Sequence, residues 1–383
     1  MTVPEQRRPE QRHRIGRLVA LGAALAASIA LLALPRATPR APDQTQPAGV
    51  DEVWPDAHRA DFPVGLVDGP AYSPALFLDA RTSVGTAPNP GGTHLRLVVR
   101  SADGAVHELR RLPLTGTPQF SALTTTGSRL AWAESTSTED GRTRTEMWTV
   151  DLTANHPAQR LTRDTGDVLF FNSQYDMVIH EDRLYWAAAP PEASPAAVTT
   201  GAEPVTEVRS VALAGGPVQV RREPGAWAMS AWPWLASAGG GASGPIRLRN
   251  LDAREVVDVD AGAELVSCSP TWCRVLVLGN DGPSRIDLMR PDGQDRRRIA
   301  DGAATASVID VAVLDRFEVL SLSDVQRTVT NTQQLLLYDL RRNQTVVVAE
   351  GVGSVFCRGG VLWWSTGNNE TTAWHTLDLR TLG

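Results

Sequence analysis

Apolar positions along this chain fall into short alternating runs, and one of them recurs as Leu-x-Trp: Arg129-Leu130-Ala131-Trp132-Ala133, Arg183-Leu184-Tyr185-Trp186-Ala187 and Val361-Leu362-Trp363-Trp364-Ser365. Second runs ending in x-Asp-Leu follow, as Thr149-Val150-Asp151-Leu152, Leu337-Tyr338-Asp339-Leu340 and Thr376-Leu377-Asp378-Leu379. Fainter copies of the first run stand at Leu76-Phe77-Leu78, Trp234-Leu235, Val275-Leu276-Val277-Leu278 and Phe317-Glu318-Val319. Taking Leu78, Trp132, Trp186, Leu235, Leu278, Val319 and Trp364 as equivalent gives a repeat of about 48 residues, close to the roughly 40 to 50 of a four-stranded propeller blade. Units that cannot bury their own apolar face must stack on their neighbours. The pattern therefore predicts an all-β chain, a single β-propeller of four-stranded antiparallel sheets. Seven blades are expected, or six because the first copy lacks a clear inner strand before Ala75.

Within one copy the strands read from inner to outer as 305–314, 316–322, 334–340 and 344–349, short and rich in Val, Leu and Thr. Turn pairs such as Asp103-Gly104, Asp292-Gly293 and Gly215-Gly216 sit between third and fourth strands. The last copy stops after its third strand, leaving an open edge. Residues 62–67 are expected to add there as the outer strand and close the ring.

Residues 18–34 form an uncharged apolar run behind Arg7, Arg8, Arg12, Arg14 and Arg17. With no small-x-small cleavage site beyond it, the run reads as an uncleaved transmembrane signal anchor, with a secreted chain released by signal cleavage as the alternative. The arginine excess before it places the N-terminus in the cytoplasm and the rest outside. The expected division is a basic tail at 1–17, the anchor at 18–34, a flexible Pro/Ala-rich linker at 35–60 and the propeller at 61–383.

An oxidising compartment suits the three cysteines. Cys268 and Cys273 flank a four-residue loop and are expected to form a disulfide across a hairpin, while Cys357 reads as a small buried apolar residue. The chain has no lysine, and its 37 basic residues are all arginine against 43 acids, a net charge of −6. That excludes lysine Schiff-base chemistry and, with no basic stripe, nucleic acid as a partner.

By the Leu-x-Trp and x-Asp-Leu strands behind an anchor, residues 62–383 resemble the TolB-like and WD40-like β-propeller proteins, in particular the anchored extracytoplasmic type of high-GC bacteria. The resemblance implies a propeller and either an envelope interaction platform or a propeller attached to a peptidase.

Motifs that carry chemistry are scarce. The seven histidines make no His-x-His or His-x-x-x-His pair, His180 reads as a solvated turn residue, and no nucleophile elbow, Walker loop or dinucleotide loop occurs. No catalytic, metal or cofactor-binding residue is named, and no cofactor is expected. Trp132, Trp186 and Trp364 share one repeat position and are expected to pack between blades. Loops between second and third strands (135–144, 188–206, 237–244, 323–333 and 366–372) are long, so one face is elaborated. The leading functional expectation is a non-catalytic, membrane-anchored platform that binds an envelope protein or cell-wall component on that face. A propeller enzyme of lyase or hydrolase type with a site at the channel mouth is the second, and a ligand-sensing ectodomain the third.

Overall fold

A computed structural model describes residues 47–383, apart from 139–140, 155, 191–203, 239–245, 260–261, 263, 280–281, 303, 324–331 and 369–370. The expected basic tail, anchor and first part of the linker lie outside the described residues. No helix among the described residues is long and apolar enough to cross a membrane. The middle of every long second-to-third loop is also outside them, so the elaborated face is not described.

Residues 73–113, 119–162, 167–224, 227–259 and 265–301 each fold into their own antiparallel sheet, and 304–378 with Arg59–Pro63 make a sixth of seven strands. The second sheet is representative: Gln119–Thr126, Arg129–Ser137, Thr143–Asp151 and Gln159–Thr162 pair in chain order. The period of two puts Leu130 and Trp132 on one face of the Leu-x-Trp strand and Ala131 and Ala133 on the other. The first pair packs with Leu76, Val84 and Leu97 of the preceding sheet, the second with Met177, Leu184 and Trp186 of the following one. Each sheet is thus buried on both faces by its neighbours, which is why the repeat is apolar at every strand centre. Trp132 and Trp186 have no exposed surface and Trp364 almost none. The first two indole N–H groups find partners where they are buried, Trp132 on Glu134 Oε1 (3.1 Å) and Trp186 on the Thr165 carbonyl (2.8 Å).

The sixth sheet is two four-stranded units joined by one strand. Gln344–Arg358 pairs through its first part with Gln333–Asp339 and, after a register shift, through its second part with Val361–Thr366. It leaves one unit as the outer strand and enters the next as the inner one. The last unit takes its outer strand from the start of the domain: Arg59–Pro63 runs antiparallel to Ala373–Asp378, with Phe62 opposite Trp374. The closing segment expected at 62–67 thus pairs three residues earlier, because Pro63 ends the ladder. Phe62 and Leu66 then bury against Phe77, Val361 and Trp363, filling the seam between the last sheet and the first.

Two further expectations are corrected. The linker at 35–60 does not extend to residue 60, since the compact unit begins at Pro47. Val50 and Trp54 are 3% exposed and belong to the core around Phe317, Val346 and Leu377, and Val347 N donates to the Ala48 carbonyl at 2.9 Å. Two apolar residues in a Pro/Ala-rich stretch have no period, so composition hides them. The first copy is also shifted by one strand. Leu76 and Phe77 lie on its inner strand, Ser73–Phe77, and the second strand is Ser83–Pro88, where Val84-Gly85-Thr86 replaces Leu-x-Trp. A Cβ at position 85 would collide with the Ser73 carbonyl and the Tyr72 ring, so the packing of Tyr72 against this strand requires glycine there.

Cys268 and Cys273 are bonded across the hairpin of Leu265–Cys268 and Cys273–Gly279, with Cα atoms 4.0 Å apart.

Candidate functional site

Two inner strands are interrupted, and the interruptions meet. In the third sheet Asp167–Val168 and Met177–His180 both pair with Arg183–Ala189, while residues 170–176 leave the ladder. Asn172 takes a left-handed conformation (φ 62°), Asp176 Oδ1 accepts from Phe171 N at 2.8 Å, and Tyr175 N donates to Ser173 Oγ at 3.0 Å. The Asn-Ser-x-x-Asp sequence closes a tight loop on its own side chains.

In the sixth sheet the inner strand expected at 305–314 is only Ala304–Ala306. Ser307 N still bonds the Val319 carbonyl, after which the chain leaves the ladder until Val313 bridges Phe317. Arg274, from the neighbouring sheet, donates to the carbonyls of Val308 (3.1 Å) and Asp310 (2.9 Å) and pairs with the buried Glu318, whose other oxygen accepts from Ala312 N. These bonds satisfy backbone groups that the broken strand would otherwise leave unpaired.

Asp310 joins the two excursions. Its Oδ1 accepts from Ser173 Oγ at 2.6 Å and its Oδ2 from Gln174 N at 3.1 Å. Arg358, at the end of the inner strand of the last unit, donates to the carbonyls of Leu123 (2.8 Å) and Ser173 (3.2 Å), and Gly359 N donates to Gln174 Oε1 at 3.1 Å. Side chains and backbone carbonyls from separate sheets, up to 235 residues apart in sequence, therefore converge on one point.

The electrostatics follow from burial. Asp310 is raised above the usual carboxylate range, chiefly by desolvation, with the bonds from Ser173 and Gln174 and the charges of Arg358 and Arg274 opposing. Desolvation likewise raises Asp176 to about 6, against the Phe171 N–H bond and Arg358. The Arg358 guanidinium is lowered by burial and held up by Asp176 and Asp310. Burial also pushes up the Tyr175 hydroxyl and the Cys357 thiol, with Asp310 adding to both, so Cys357 is no ready nucleophile.

Asp310 lines two pockets. One, of about 280 Å³, is walled by Tyr175, Met229, Ile246, Cys268 and Ile309. The other, of about 590 Å³, is walled by Phe171, Val308, Phe356, Arg358 and Trp363. A carboxylate with a raised pKa, fixed by two donors and reachable from a pocket that also holds a guanidinium, can take or give a proton beside an anionic group.

Asp176 has a measurable signature. It is 4% exposed. Between pH ~4, where an unfolded aspartate ionises, and pH ~6 only the unfolded chain releases this proton, so stability falls as pH rises through that window. Asp176→Asn removes the titration. The stability of the variant relative to the parent should therefore rise by about 3 kcal/mol from pH 4 to pH 7, measured by urea unfolding at each pH. A gap independent of pH would contradict the burial assigned to this carboxylate.

Sequence reasoning names none of these four residues, Ser173, Asp176, Asp310 and Arg358, as a site. The one signal present is an acid inside an apolar run, Val308-Ile309-Asp310-Val311, which burial makes costly without partners. The residues singled out by motif lie elsewhere or serve packing. Trp132, Trp186 and Trp364 are between sheets. Cys268 is disulfide-bonded in the wall of the smaller pocket. His180 is on the surface, stacked on Trp232 with ring centroids 5.6 Å apart. Among the described residues no three His, Cys, Asp or Glu side chains gather as a metal-binding group.

No family model matches the chain, and no curated protein matches it. Solved structures do. An oligogalacturonate lyase in complex with manganese aligns at 13% identity and a TM-score of 0.54 over 84% of this chain and 96% of its own. A prolyl endopeptidase aligns at 12% identity and a TM-score of 0.53 over 83% of this chain and 49% of its own, so this chain spans about half the length of that protein. The β-propeller domain of the Trilobed protease from Pyrococcus furiosus aligns at 12% identity and a TM-score of 0.44, over 68% of this chain and 83% of that one. The described domain is a β-propeller of four-stranded antiparallel sheets. The expectation of a non-catalytic binding platform is overturned by the lyase and the endopeptidase, both enzymes; the propeller enzyme, placed second on sequence grounds, is the reading these two favour.

Proposed function

We propose that this chain is a propeller enzyme of the lyase type, acting on a carboxylate-bearing carbohydrate at the channel site around Asp310. The convergence of Asp310 and Arg358 on one pocket, with Ser173 hydrogen-bonded to both behind it, carries the reading. Asp310 is the proton acceptor, and Arg358 neutralises the substrate carboxylate. A carbon next to a carboxylate becomes acidic only when that charge is compensated, so base and guanidinium are needed together. Asp310 takes the proton from that carbon, the carbon–carbon double bond forms as the glycosidic oxygen leaves the neighbouring carbon, and the proton returns from Asp310 or through water to that oxygen, giving one new double bond and one free hydroxyl end. The neighbour named a lyase supports this choice over hydrolysis, because its chain is matched over nearly its whole length. No step here is routed through a metal, for which the described residues provide no ligand group.

Counting the fused sheet as two units, the ring has seven blades, of the TolB-like and WD40-like kind. Residues 18–34 anchor it on the outer side of the membrane, where an envelope carbohydrate is its substrate. Alkaline phosphatase fused after residue 46 should be active, since that reporter needs an oxidising compartment; an expressed but silent fusion would reverse the topology.

The deciding assay incubates the purified chain with oligogalacturonates, with and without added manganese, and follows the unsaturated product by ultraviolet absorbance. Product formation supports the reading. Saturated products would move the assignment to hydrolysis, and no cleavage would remove it.

A further inference from the structure

Aromatic surface left open in a pocket asks for a partner, and the larger channel pocket has it. Phe356 is 45% exposed, Phe171 38% and Ile309 52%, and all three line the pocket that holds Arg358 and Asp310. Among the described residues Phe171 and Phe356 are the large aromatic side chains left exposed, and both stand at this one site, which marks a surface kept open for something.

Phe356 is fixed as a platform. One face of its ring stacks on Trp363, its cross-strand partner, with centroids 5.5 Å apart and planes 20° from parallel, and Trp374 lies tilted at 6.3 Å. Arg358 stands two residues on, on the same face of the strand, roughly 7 Å away along the backbone. Its two assigned hydrogen bonds go to carbonyls, and a guanidinium has five N–H groups, which leaves donors over for a ligand. A flat apolar ring beside a guanidinium and a carboxylate recognises a ring that is apolar on its face, bears hydroxyls at its edge and carries a negative charge.

We infer that Phe356 is the stacking platform of a substrate subsite that takes a uronic-acid ring, its face on Phe356 and its carboxylate toward Arg358, in the pocket that Phe171 also lines. This deepens the lyase reading and rests on it for the identity of the sugar. The subsite accounts for exposed aromatic surface that catalysis by Asp310 alone does not require.

The test uses the full chain carrying Asp310→Asn, so that binding is read without turnover. Trigalacturonate, the uncharged maltotriose and an apolar tripeptide are titrated by calorimetry. Trigalacturonate should bind, maltotriose at least about tenfold more weakly, and Phe356→Ala should weaken trigalacturonate about tenfold while Phe356→Trp keeps it. Phe356→Ala also gives up the stacking on Trp363, so its melting temperature should fall by roughly 2 to 4 °C with the domain still folded at the assay temperature, while Phe356→Trp keeps it, and circular dichroism checks this. In the active chain Phe356→Ala should raise KM and spare kcat. Equal trigalacturonate affinity for Phe356→Ala and parent, a preference for the peptide, or no binding by any probe would each overturn the subsite. Binding that depends on Phe356 in a parent without turnover would instead leave the subsite standing and remove the lyase reading.

Discussion

Asp310→Asn should reduce turnover by about 10²- to 10⁴-fold, the usual worth of a positioned proton-transfer group, while the domain stays folded. The fold tolerates the change because an amide can meet both partners: its oxygen accepts from Gln174 N, and its NH₂ donates to Ser173 Oγ, whose hydroxyl turns to accept. A loss of activity with an unchanged melting curve therefore reads out chemistry rather than collapse. Arg358→Met gives the companion result. Arg358 holds the Asp310 carboxyl down, so without it the acidic limb of the kcat/KM profile should move to higher pH as well as fall in height. Steady-state rates on oligogalacturonate across pH ~4 to ~9, a range that brackets a raised carboxylate, measure both. An Asp310→Asn chain as active as its parent would show that the proton is handled elsewhere.

Losing the first strand should be as damaging to the fold as losing Asp310 is to the reaction. With a chain starting at Pro47 as reference, one starting at Arg59 lacks Val50 and Trp54 but keeps the closing strand. One starting at Val64 lacks both. The first loses a buried Trp that meets Phe317 edge-on at 6.1 Å, together with the bond from Val347 N to Ala48, and should be weakened by about 3 to 5 kcal/mol, as when a large core side chain is removed. The second also loses Phe62, the ladder to Ala373–Asp378, the His375–Asp61 contact at 2.7 Å and the bonds between Thr376 and Ala60. Adding a buried Phe and a full strand to the first loss takes the cost to the order of a whole domain's stability, roughly 5 to 15 kcal/mol. This chain should emerge aggregated, because the open seam exposes two apolar sheet faces and an unpaired edge. Thermal unfolding and size-exclusion chromatography of the three chains decide the matter, and coincident melting curves would mean the ring does not depend on this closure.

Ring closure and the Asp310 site are written in the chain in different ways. Ring closure is legible in outline from the repeat itself, because a final copy one strand short must borrow an edge. Its register is not: the pairing of Phe62 with Trp374 rather than a slipped alternative depends on which residues fill the seam beside Phe77 and Trp363. The Asp310 site is not legible at all. Its members come from the inner strands of separate repeats, and no local spacing relates position 123 to 358 or 173 to 310.

Local pattern determined what a single strand and its two neighbours decide: a β-propeller built from four-stranded meanders, tryptophans at the strand centres, and a cysteine pair facing across a hairpin. Each is set by a period of two and a repeat near 48 residues, and burial between adjacent sheets enforces both. Only the tertiary structure decided where Val50 and Trp54 go, that Leu78 is not the first copy's equivalent of Trp132, and that inner strands 167–180 and 304–313 break and reach across to each other. Those outcomes depend on groups brought together by closing the ring. A broken strand leaves backbone polar groups that must find partners, and here Arg274 comes from the neighbouring sheet, while Ser173, Arg358 and Asp310 are supplied by sheets that sequence order keeps far apart.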